Sequence, residues 1–445
     1  MTNFFATRQL RQFARADQGQ AIVITALALS VLMLMAGLGV DVGFLRYQKQ
    51  QMQKAADAGA IAGAAALEYG GGYLNAAYND AAANGFTNGV NGVNVYVHHP
   101  PTTVGDPFYL DTNYVEVIVA QVQPTFFMPV GGFYSVPVSA RAVAAATASA
   151  SGCIYVLDPT DNDTYNNNNG GTGGMVNATC NVYVDSSSNQ AFYSSGSGTC
   201  TTAHLIGVVG QVDQDSCGTS PKTGITSFTD PLMGLPAPTG WSCHTPQQSS
   251  PPTACTYTSP NGPFTCTASA TVYADTYCGG IVINSGVAVT FSPTGPGNST
   301  YILAGGGLTV NSGASVVSGS GGVTFFNTAA PGGIAGSINL ASGTTENLVA
   351  PTSGTLQGIL FFQDRNLLPG PSSPPATLGG SNAFIEGALY FPTAVVNYYG
   401  NSSANSPYTE IVAWKLNISG NSQFNDTYSG LGTGQSPIHT ATLVE

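Results

Sequence analysis

The first seventy residues contain one long apolar run. Residues 21–40, AIVITALALSVLMLMAGLGV, carry no charged side chain. Twenty helical residues at 1.5 Å each span about 30 Å, the hydrocarbon thickness of a bilayer. A cleavable signal peptide has a shorter apolar stretch of about 7–15 residues. The run therefore favours a retained membrane helix from Ala21 to Val40.

The apolar run leads into a segment of strong helix formers. Residues 44–68 are rich in Ala, Gln, Lys and Leu, which have high helix propensity. Small or apolar side chains recur there near helical spacing. They are Leu45, Gln48, Met52, Ala55, Ala56, Gly59 and Ala60. The pattern predicts one helix over residues 20–68, about 74 Å long, apolar first and amphipathic later.

A short helix and a small sheet are predicted next. Residues 74–90 are typical of a helix that stops at Asn84-Gly85. Apolar residues then alternate with polar ones in three strand-like runs. These runs occupy residues 93–98, 114–122 and 134–146. Prolines and glycines between the runs indicate turns, so an antiparallel sheet of about three strands is expected. Arg141, on the third run, is expected to be solvated.

From about residue 270 the chain consists of short apolar runs separated by Ser-Gly turns. The turns at 285–286, 312–313 and 342–343 are 27 and 30 residues apart, and another follows at 419–420. Repeated strand-turn-strand units of this period are typical of a solenoid, in which each coil buries its apolar face on the next. An antiparallel β-sandwich is the alternative. The predicted class is α+β: a long N-terminal helix with a small antiparallel sheet, then an all-β domain.

The charge distribution separates the two ends of the chain. Charged residues make up 7% of the chain, against about 25% in ordinary soluble domains. Residues 1–54 have a net charge of +4 and the remainder −16. So few basic residues argue against a nucleic-acid partner. Three arginines, at 8, 11 and 15, precede the apolar run, which favours a cytoplasmic N-terminus and an exported remainder.

All eight cysteines lie between residues 153 and 278. They are Cys153, Cys180, Cys200, Cys217, Cys243, Cys255, Cys266 and Cys278. An even number confined to one exported block predicts disulfides formed in an oxidising compartment. Eight cysteines allow 105 pairings, and the connectivity stays open. No C-x-x-C pair is present, and neither a metal nor another cofactor is expected.

Little in the sequence indicates catalysis. Asp158, Asp161 and Asp163 could offer oxygen ligands to calcium, but such residues also favour surface turns. Arg365 and Lys415 are the bases that a polysaccharide lyase could use. No acid/base pair with a nucleophile stands out. The chain is therefore not expected to be an enzyme.

The N-terminal region resembles the TadG/TadE-like proteins of Flp (tight-adherence) pilus systems. The resemblance covers residues 13–68 and rests on Asp17 and Gly19, on the GLGVDVG turn at 37–43, and on QKAADAGAIAGA at 53–64. Processed pilins of this class have Glu-Tyr where this chain has Ile24 and Thr25, which again favours a retained anchor.

Runs in the C-terminal region resemble TadG-like proteins less specifically. They include CIYVLDPT at 153–160, GILFFQD at 358–364 and GALYFPTAVVNYYG at 387–400. Many relatives carry a von Willebrand A domain with an Asp-x-Ser-x-Ser metal motif. The nearest string here, DSSSN at 185–189, has Asn189 in place of the second Ser. That domain is therefore not expected.

The resemblance and the residue pattern together predict the organisation of the chain. Residues 1–19 are expected to be cytoplasmic, 20–68 to form the transmembrane and amphipathic helix, 69–150 a pilin-like headpiece, and 151–445 the exported β-rich domain. The protein is expected in the bacterial inner membrane as a single-pass protein, with its C-terminal domain periplasmic or extracellular.

The function implied is that of an accessory component or minor subunit of Flp-type pilus assembly, with a structural role in adherence. The expected partners are the membrane and other pilus-assembly proteins or pilins, contacted through the helix. An anchored lectin-like β-helix that binds surface polysaccharide is the alternative, and a polysaccharide-cleaving enzyme is less favoured. Tyr398, Tyr399 and Trp414 are candidates for contact with a partner or a glycan.

Overall fold

The structure is a computed structural model that describes most of the chain. The described residues are 17–68, 72–147, 152–168, 173–216, 218–243, 253–257, 259, 261–295, 298–340, 343–380, 382–400, 406–431, 436–438 and 440–445. Contacts divide them into two compact units. The N-terminal unit holds residues up to 146 together with 441–445, and the C-terminal unit holds 147–440.

The N-terminal unit consists of two helices and an antiparallel sheet. Its elements are α1 (Asp17–Glu68), α2 (Tyr73–Ala83), β1 (Asn94–His98), β2 (Tyr114–Pro124), a 3₁₀ turn (Met128–Gly131) and β3 (Ser135–Thr147). The β1–β2 and β2–β3 pairings are antiparallel. The predicted long helix and small sheet are thus confirmed. The GLGVDVG segment at 37–43, described as a turn in the family-like string, is helical throughout, as the predicted helix over residues 20–68 requires.

The sheet of the N-terminal unit has four strands. A strand from the end of the chain, Thr440–Leu443, lies beside β3. The sequence pattern predicts residues 441–445 as part of the C-terminal domain, whereas in the structure they belong to the N-terminal unit. The local pattern there does not distinguish a strand of one sheet from a strand of another, because both present alternating side chains.

Close packing of α1 on β2 depends on two glycines. A Cβ atom at Gly63 would lie 3.0 Å from Val115 Cγ1, and one at Gly59 would lie 3.3 Å from Val117 Cγ1. One buried cluster joins α1, α2 and β2. From α1 it contains Met52 and the small residues Ala55, Ala56 and Ala60, here called the small-residue stripe, and from β2 it contains the valines at 115, 117 and 119. The small-residue stripe is therefore the face that α1 presents to the sheet.

The C-terminal unit is built almost entirely from short strands. They are β4 (Gly152–Val156), β5 (Tyr165–Asn167), β6 (Met175–Ala178), β7 (Asn181–Val184), β8 (Phe192–Ser194), β9 (Cys200–Thr202), β10 (Ile206–Val208), β11 (Val212–Asp215), β12 (Lys222–Thr223), β13 (Cys255–Tyr257), β14 (Phe264–Cys266), β15 (Ala270–Tyr273), β16 (Thr276–Cys278), β17 (Ile281–Ile283), β18 (Ala288–Ser292), β19 (Thr300–Ala304), β20 (Leu308–Val310), β21 (Ser315–Ser318), β22 (Thr324–Thr328), β23 (Ile338–Leu340), β24 (Thr345–Val349), β25 (Ile359–Gln363), β26 (Ala376–Leu378), β27 (Asn382–Tyr399), β28 (Thr409–Ser419) and β29 (Ser422–Phe424). The large β-rich domain predicted from the sequence is thus present.

These strands pair in parallel, usually with the strand three further along the chain. One ladder runs β16–β19–β22–β25–β27–β28–β4–β7–β10–β12. A second runs β14–β17–β20–β23–β26–β27–β28–β5–β8–β11. A third runs β15–β18–β21–β24–β27, and a short fourth runs β29–β6–β9. Only the β13–β14 pairing among these named strands is antiparallel.

The order of strands in the ladders differs from their order in the chain. β28, near the end of the unit, lies between β27 on one side and β4 and β5 on the other. The first strands of the unit therefore stack onto the last ones, and residues 264–399 extend the ladders in the opposite direction.

Glycines form recurrent corners between the strands. Gly286 and Gly313, in the predicted Ser-Gly turns, have φ of 76°, a left-handed conformation that glycine adopts without steric cost. Equivalent corners lie close together, since the Gly313 N–H donates to the Gly343 carbonyl at 3.2 Å.

A column of aromatic rings fills part of the C-terminal unit. Successive centroids of Tyr277, Tyr301, Phe325, Phe361 and Phe391 are 6.1, 5.2, 5.2 and 5.9 Å apart. The buried Tyr301 hydroxyl donates to the Val272 carbonyl at 2.7 Å, which satisfies the one polar group of that ring. Similar residues at equivalent positions thus bury their faces against one another.

Among the glutamates buried in the C-terminal unit are Glu346 and Glu410. Burial raises the pKa of Glu346 to about 7, although Thr344 donates a hydrogen bond to its carboxyl group. Burial likewise raises the pKa of Glu410 to about 8, although the hydroxyls of Ser436 and Tyr428 donate to it, each at 2.6 Å. Both glutamates favour the protonated, neutral form in the folded protein.

We expect the Gly63→Leu substitution to separate α1 from β2. The added side chain collides with Val115, and overpacking of this kind costs about 1–3 kcal/mol. Gly43→Leu is the matched control, because a Cβ atom there meets nothing within 4 Å. Hydrogen exchange of the β2 amides in detergent should be faster in Gly63→Leu and unchanged in Gly43→Leu. Equal protection in both variants would contradict the packing described.

We expect Glu410→Gln to raise the unfolding temperature near pH 8 and to change it little near pH 5. The unfolded carboxyl group releases its proton around 4.5, whereas the folded one holds it to about 8. The stability that Glu410 contributes is therefore complete below pH 4.5 and is lost as the pH rises to about 8. The glutamine oxygen can still accept both hydroxyls. Thermal unfolding of the full chain measures the difference, and equal destabilisation at both pH values would contradict it.

Candidate functional site

The first half of α1 is an exposed apolar surface. Among the described residues, one helix is long and apolar enough to cross a membrane, within Ile22–Leu67. Its large apolar side chains up to Val42 are mostly exposed, for example Ile22 at 71% and Met33 at 68%. Val40, the predicted end of the span, is 55% exposed, while the side chain of Ala21 is outside the described residues. A helix apolar on all sides is typical of a lipid-facing segment.

Asp41 connects the end of this apolar run to the β2–β3 loop through hydrogen bonds. The side chain of Asp41 is buried. Its Oδ1 accepts the Phe126 N–H at 2.8 Å, and its Oδ2 accepts the N–H groups of Phe127 and Met128 at 2.8 and 2.6 Å. Three charge-assisted hydrogen bonds fix the loop against one turn of the helix.

Contacts around Asp41 extend this connection in both directions along α1. The rings of Phe44 and Phe126 lie 5.3 Å apart in an edge-to-face arrangement. A Cβ atom at Gly37 would lie 2.6 Å from the ring of Phe127. The loop therefore contacts α1 from one turn before Asp41 to one turn after it.

A cluster of ionised groups lies elsewhere in the N-terminal unit. Glu116 on β2 is buried and accepts hydrogen bonds from Thr103 Oγ1 at 2.5 Å and Arg141 Nε at 2.5 Å. Burial alone would raise the pKa of Glu116, but the bonds from Thr103, Arg141, the Thr102 N–H and His98 lower it to about 2. The carboxylate is thus ionised and fully paired.

Arg141 joins three segments of the chain, so the expectation that it is solvated is wrong. Its guanidinium contacts Asp106, Glu116 and the carboxylate of Glu445, the last at 2.5 Å. Its side chain is 20% exposed. These acids are 25 to 304 residues away in sequence, so no local pattern indicates them. His98 lies 2.8 Å from Glu116 Oε2.

The described cysteines are disulfide-bonded. The observed pairs are Cys153–Cys180, Cys243–Cys278 and Cys255–Cys266. Cys200 is also disulfide-bonded, and Cys217 lies outside the described residues. Cys255–Cys266 joins the two antiparallel strands β13 and β14, and Cys243–Cys278 ties the segment of Trp241 to β16. The disulfides predicted from the even cysteine count are present.

The bases considered for catalysis are engaged in structural contacts. Lys415 Nζ lies 2.6 Å from Asp161 Oδ2 and 3.8 Å from Asp158 Oδ2. The other Asp158 oxygen accepts the N–H groups of residues 160 and 161, as in an Asx turn. Arg365 donates to the carbonyls of Leu232 and Leu235 at 2.9 Å.

The described part of the chain offers no cluster of metal ligands. No group of three or more His, Cys, Asp or Glu side chains in the described segments could hold a metal ion. In the DSSSN string, Asp185 Oδ1 accepts the Ser227 hydroxyl and the Phe228 N–H at 2.7 and 3.0 Å. Its carboxylate therefore holds a neighbouring segment in place.

The aromatic residues proposed for contact differ in exposure. Tyr398 is buried against Phe424, with ring centroids 5.3 Å apart. Tyr399 is 44% exposed, and Trp414 is half-buried. Sequence reasoning missed Trp241, which lines a shallow groove in the C-terminal unit together with Asp275, Thr276, Asn298 and Thr300, among others. A lone Trp in a loop gives no sequence signal for such a groove.

Asp41 is the other residue whose role sequence reasoning missed. In the sequence it stands within the GLGVDVG string at 37–43, on which part of the family resemblance rests. Its one sequence signal is its position directly after twenty uncharged residues, where a carboxylate must find donors or water.

The comparisons with known proteins concern this same helix. A family model described as "Tad: Putative Flp pilus-assembly TadE/G-like" matches residues 19–66. No curated protein and no solved structure matches the chain. The matched residues include the apolar run, Asp41, and the glycines that pack on β2. The N-terminal segment of this chain is therefore a TadE/G-like module of the Flp pilus-assembly type.

Proposed function

We propose that this protein is a membrane-anchored accessory component or minor subunit of Flp-type pilus assembly, with a structural rather than a catalytic role. The observation that carries the proposal is α1, a TadE/G-like helix whose first half is apolar and exposed and whose second half supports a folded sheet. The proposed location is the bacterial inner membrane, with the C-terminal unit on the outer side.

Within this proposal the C-terminal unit is a β-helix. Parallel ladders that advance by three strands are the pairing expected when each coil stacks on the previous one. An antiparallel sandwich would pair strands in the opposite sense. Backbone hydrogen bonds along the ladders supply cohesion without charged side chains, which accords with the 7% charge of the chain. The unit would serve as a rigid body carried outside the membrane.

One face of α1 is suited to contact another helix in the membrane. Gly39 and Gly43 are four residues apart, and a Cβ atom at either position would meet nothing within 4 Å. They lie about 200° around the helix from Gly37 and Asp41, which face the loop. Small residues at this spacing allow helix backbones to approach closely in lipid. This face is the proposed contact with pilins or other assembly proteins.

We expect Gly39→Leu/Gly43→Leu to reduce surface filaments while leaving the protein folded and membrane-bound. Leucine is a better helix former than glycine, so a loss of filaments would reflect blocked helix contact. Leu38→Ile/Val40→Leu is the control, because it keeps both glycines and the apolarity of the span. Filaments sheared from cells that carry each variant would be quantified by immunoblot against the pilin.

The same immunoblot, probed for this protein, separates the two proposed roles. Enrichment of the wild-type protein in the sheared fraction indicates a minor subunit, and retention in the inner-membrane fraction indicates an assembly factor. Normal filaments in cells lacking the protein would contradict both roles.

The groove at Trp241 favours one alternative function, a lectin-like binding of surface polysaccharide. The groove is lined by Trp241 and by polar residues that include Asp275 and Asn298, and such a lining combines the apolar and hydrogen-bonding groups that suit a sugar ring. The disulfide at Cys243 holds this segment near β16.

We expect Trp241→Ala to abolish binding to a polysaccharide that the wild-type protein retains on an array. Tyr399→Ala removes an exposed aromatic ring outside the groove and should leave that binding unchanged. Bound protein on the array is the measurement. The absence of any bound polysaccharide, or equal binding by both variants, would contradict the alternative.

A further inference from the structure

The loop between β2 and β3 carries an exposed apolar surface. Residues 117–140 contain no charged side chain. At the loop, Phe126 is 59% exposed, Val130 78%, Phe133 65% and Tyr134 73%. So many large apolar groups together on one loop require a partner that removes them from water.

The position of the loop along α1 identifies that partner. β2 and the loop that follows it run alongside α1 from Val115, beside Gly63, to Phe127, beside Gly37. The 26 residues of helix cover about 39 Å at 1.5 Å each, and the 12 residues of strand and loop cover about 40 Å at 3.3 Å each. The hairpin therefore ends beside Gly37, one turn inside the apolar run 21–40.

The loop is held at this level rigidly. Its backbone donates three hydrogen bonds to Asp41, and the Thr125 hydroxyl donates to the Phe133 carbonyl at 2.5 Å across the base of the loop. The apolar surface of the loop is thus continuous with the apolar surface of the span.

We propose that the β2–β3 loop is a second membrane contact, in which Phe126, Val130 and Phe133 enter the interface of the same leaflet that α1 leaves. The proposal rests on the membrane anchoring of α1 proposed above. Side chains of interfacial segments reach about 5–10 Å into the headgroup boundary, and Gly37 lies about 5 Å inside the end of the run. Tyr134 is suited to the headgroup level, where tyrosines are enriched. Two contacts would fix the tilt of the sheet relative to the bilayer.

The test uses tryptophan fluorescence of the full chain in vesicles of phosphatidylcholine and phosphatidylglycerol with brominated acyl chains. Phe133→Trp and Val130→Trp place the probe in the loop, and Leu29→Trp places it in the span. Tyr96→Trp is the control outside the loop, because it places the probe on β1, where the tyrosine side chain is 49% exposed. The wild-type protein, with Trp241 and Trp414, sets the background.

We expect blue-shifted emission and strong quenching of Phe133→Trp and Val130→Trp when bromine is near the headgroup end of the acyl chain. Leu29→Trp should be quenched most by bromine near the methyl end, and Tyr96→Trp should match the background. Quenching of Leu29→Trp without quenching of either loop probe would overturn this inference and leave the anchor intact. That outcome would assign the loop to a protein partner. The absence of quenching at Leu29→Trp would instead overturn the anchoring.

Discussion

The N-terminal unit depends on the absence of side chains at two positions of α1. With hydrogen at positions 59 and 63, the valines of β2 reach the helix backbone. A larger residue at either site would move the strand outward and loosen the packing of the buried alanines. This contact holds β2 alongside α1. It therefore also determines where the loop at the far end of β2 meets α1.

Asp41 completes this arrangement at the far end. A buried carboxylate directly after twenty uncharged residues destabilises the fold unless hydrogen-bond donors replace the water that it loses. Three consecutive backbone N–H groups of the loop supply them. The helix and the loop therefore satisfy each other's polar groups at the level where the apolar run ends. The same interaction places the aromatic residues of the loop beside the span.

Periodicity predicted the elements because each depends on a local pattern. The long helix, the second short helix and the strands of the small sheet follow from spacing of apolar residues within a few turns. Arg141 and Asp41 could not be interpreted in this way, since their partners lie 25 to 304 and 85 to 87 residues away. The cysteine pairing was equally open, because any two of eight cysteines can be brought together by the fold.

The position of β28 explains why the sequence pattern could not predict the order of strands in the C-terminal ladders. A repeated turn indicates that strands stack, but not that β28 lies between β27 and the first strands, β4 and β5. β4 and β5 have β7 and β8 on one side, and their other edge remains unpaired until β28 arrives, some 250 residues later. Unpaired parallel edges attract other strands, and contacts of such separation form slowly. Few charges are available in this unit to repel wrong partners. Without β28, therefore, the ladders would have unpaired edges at both β27 and the β4–β5 side.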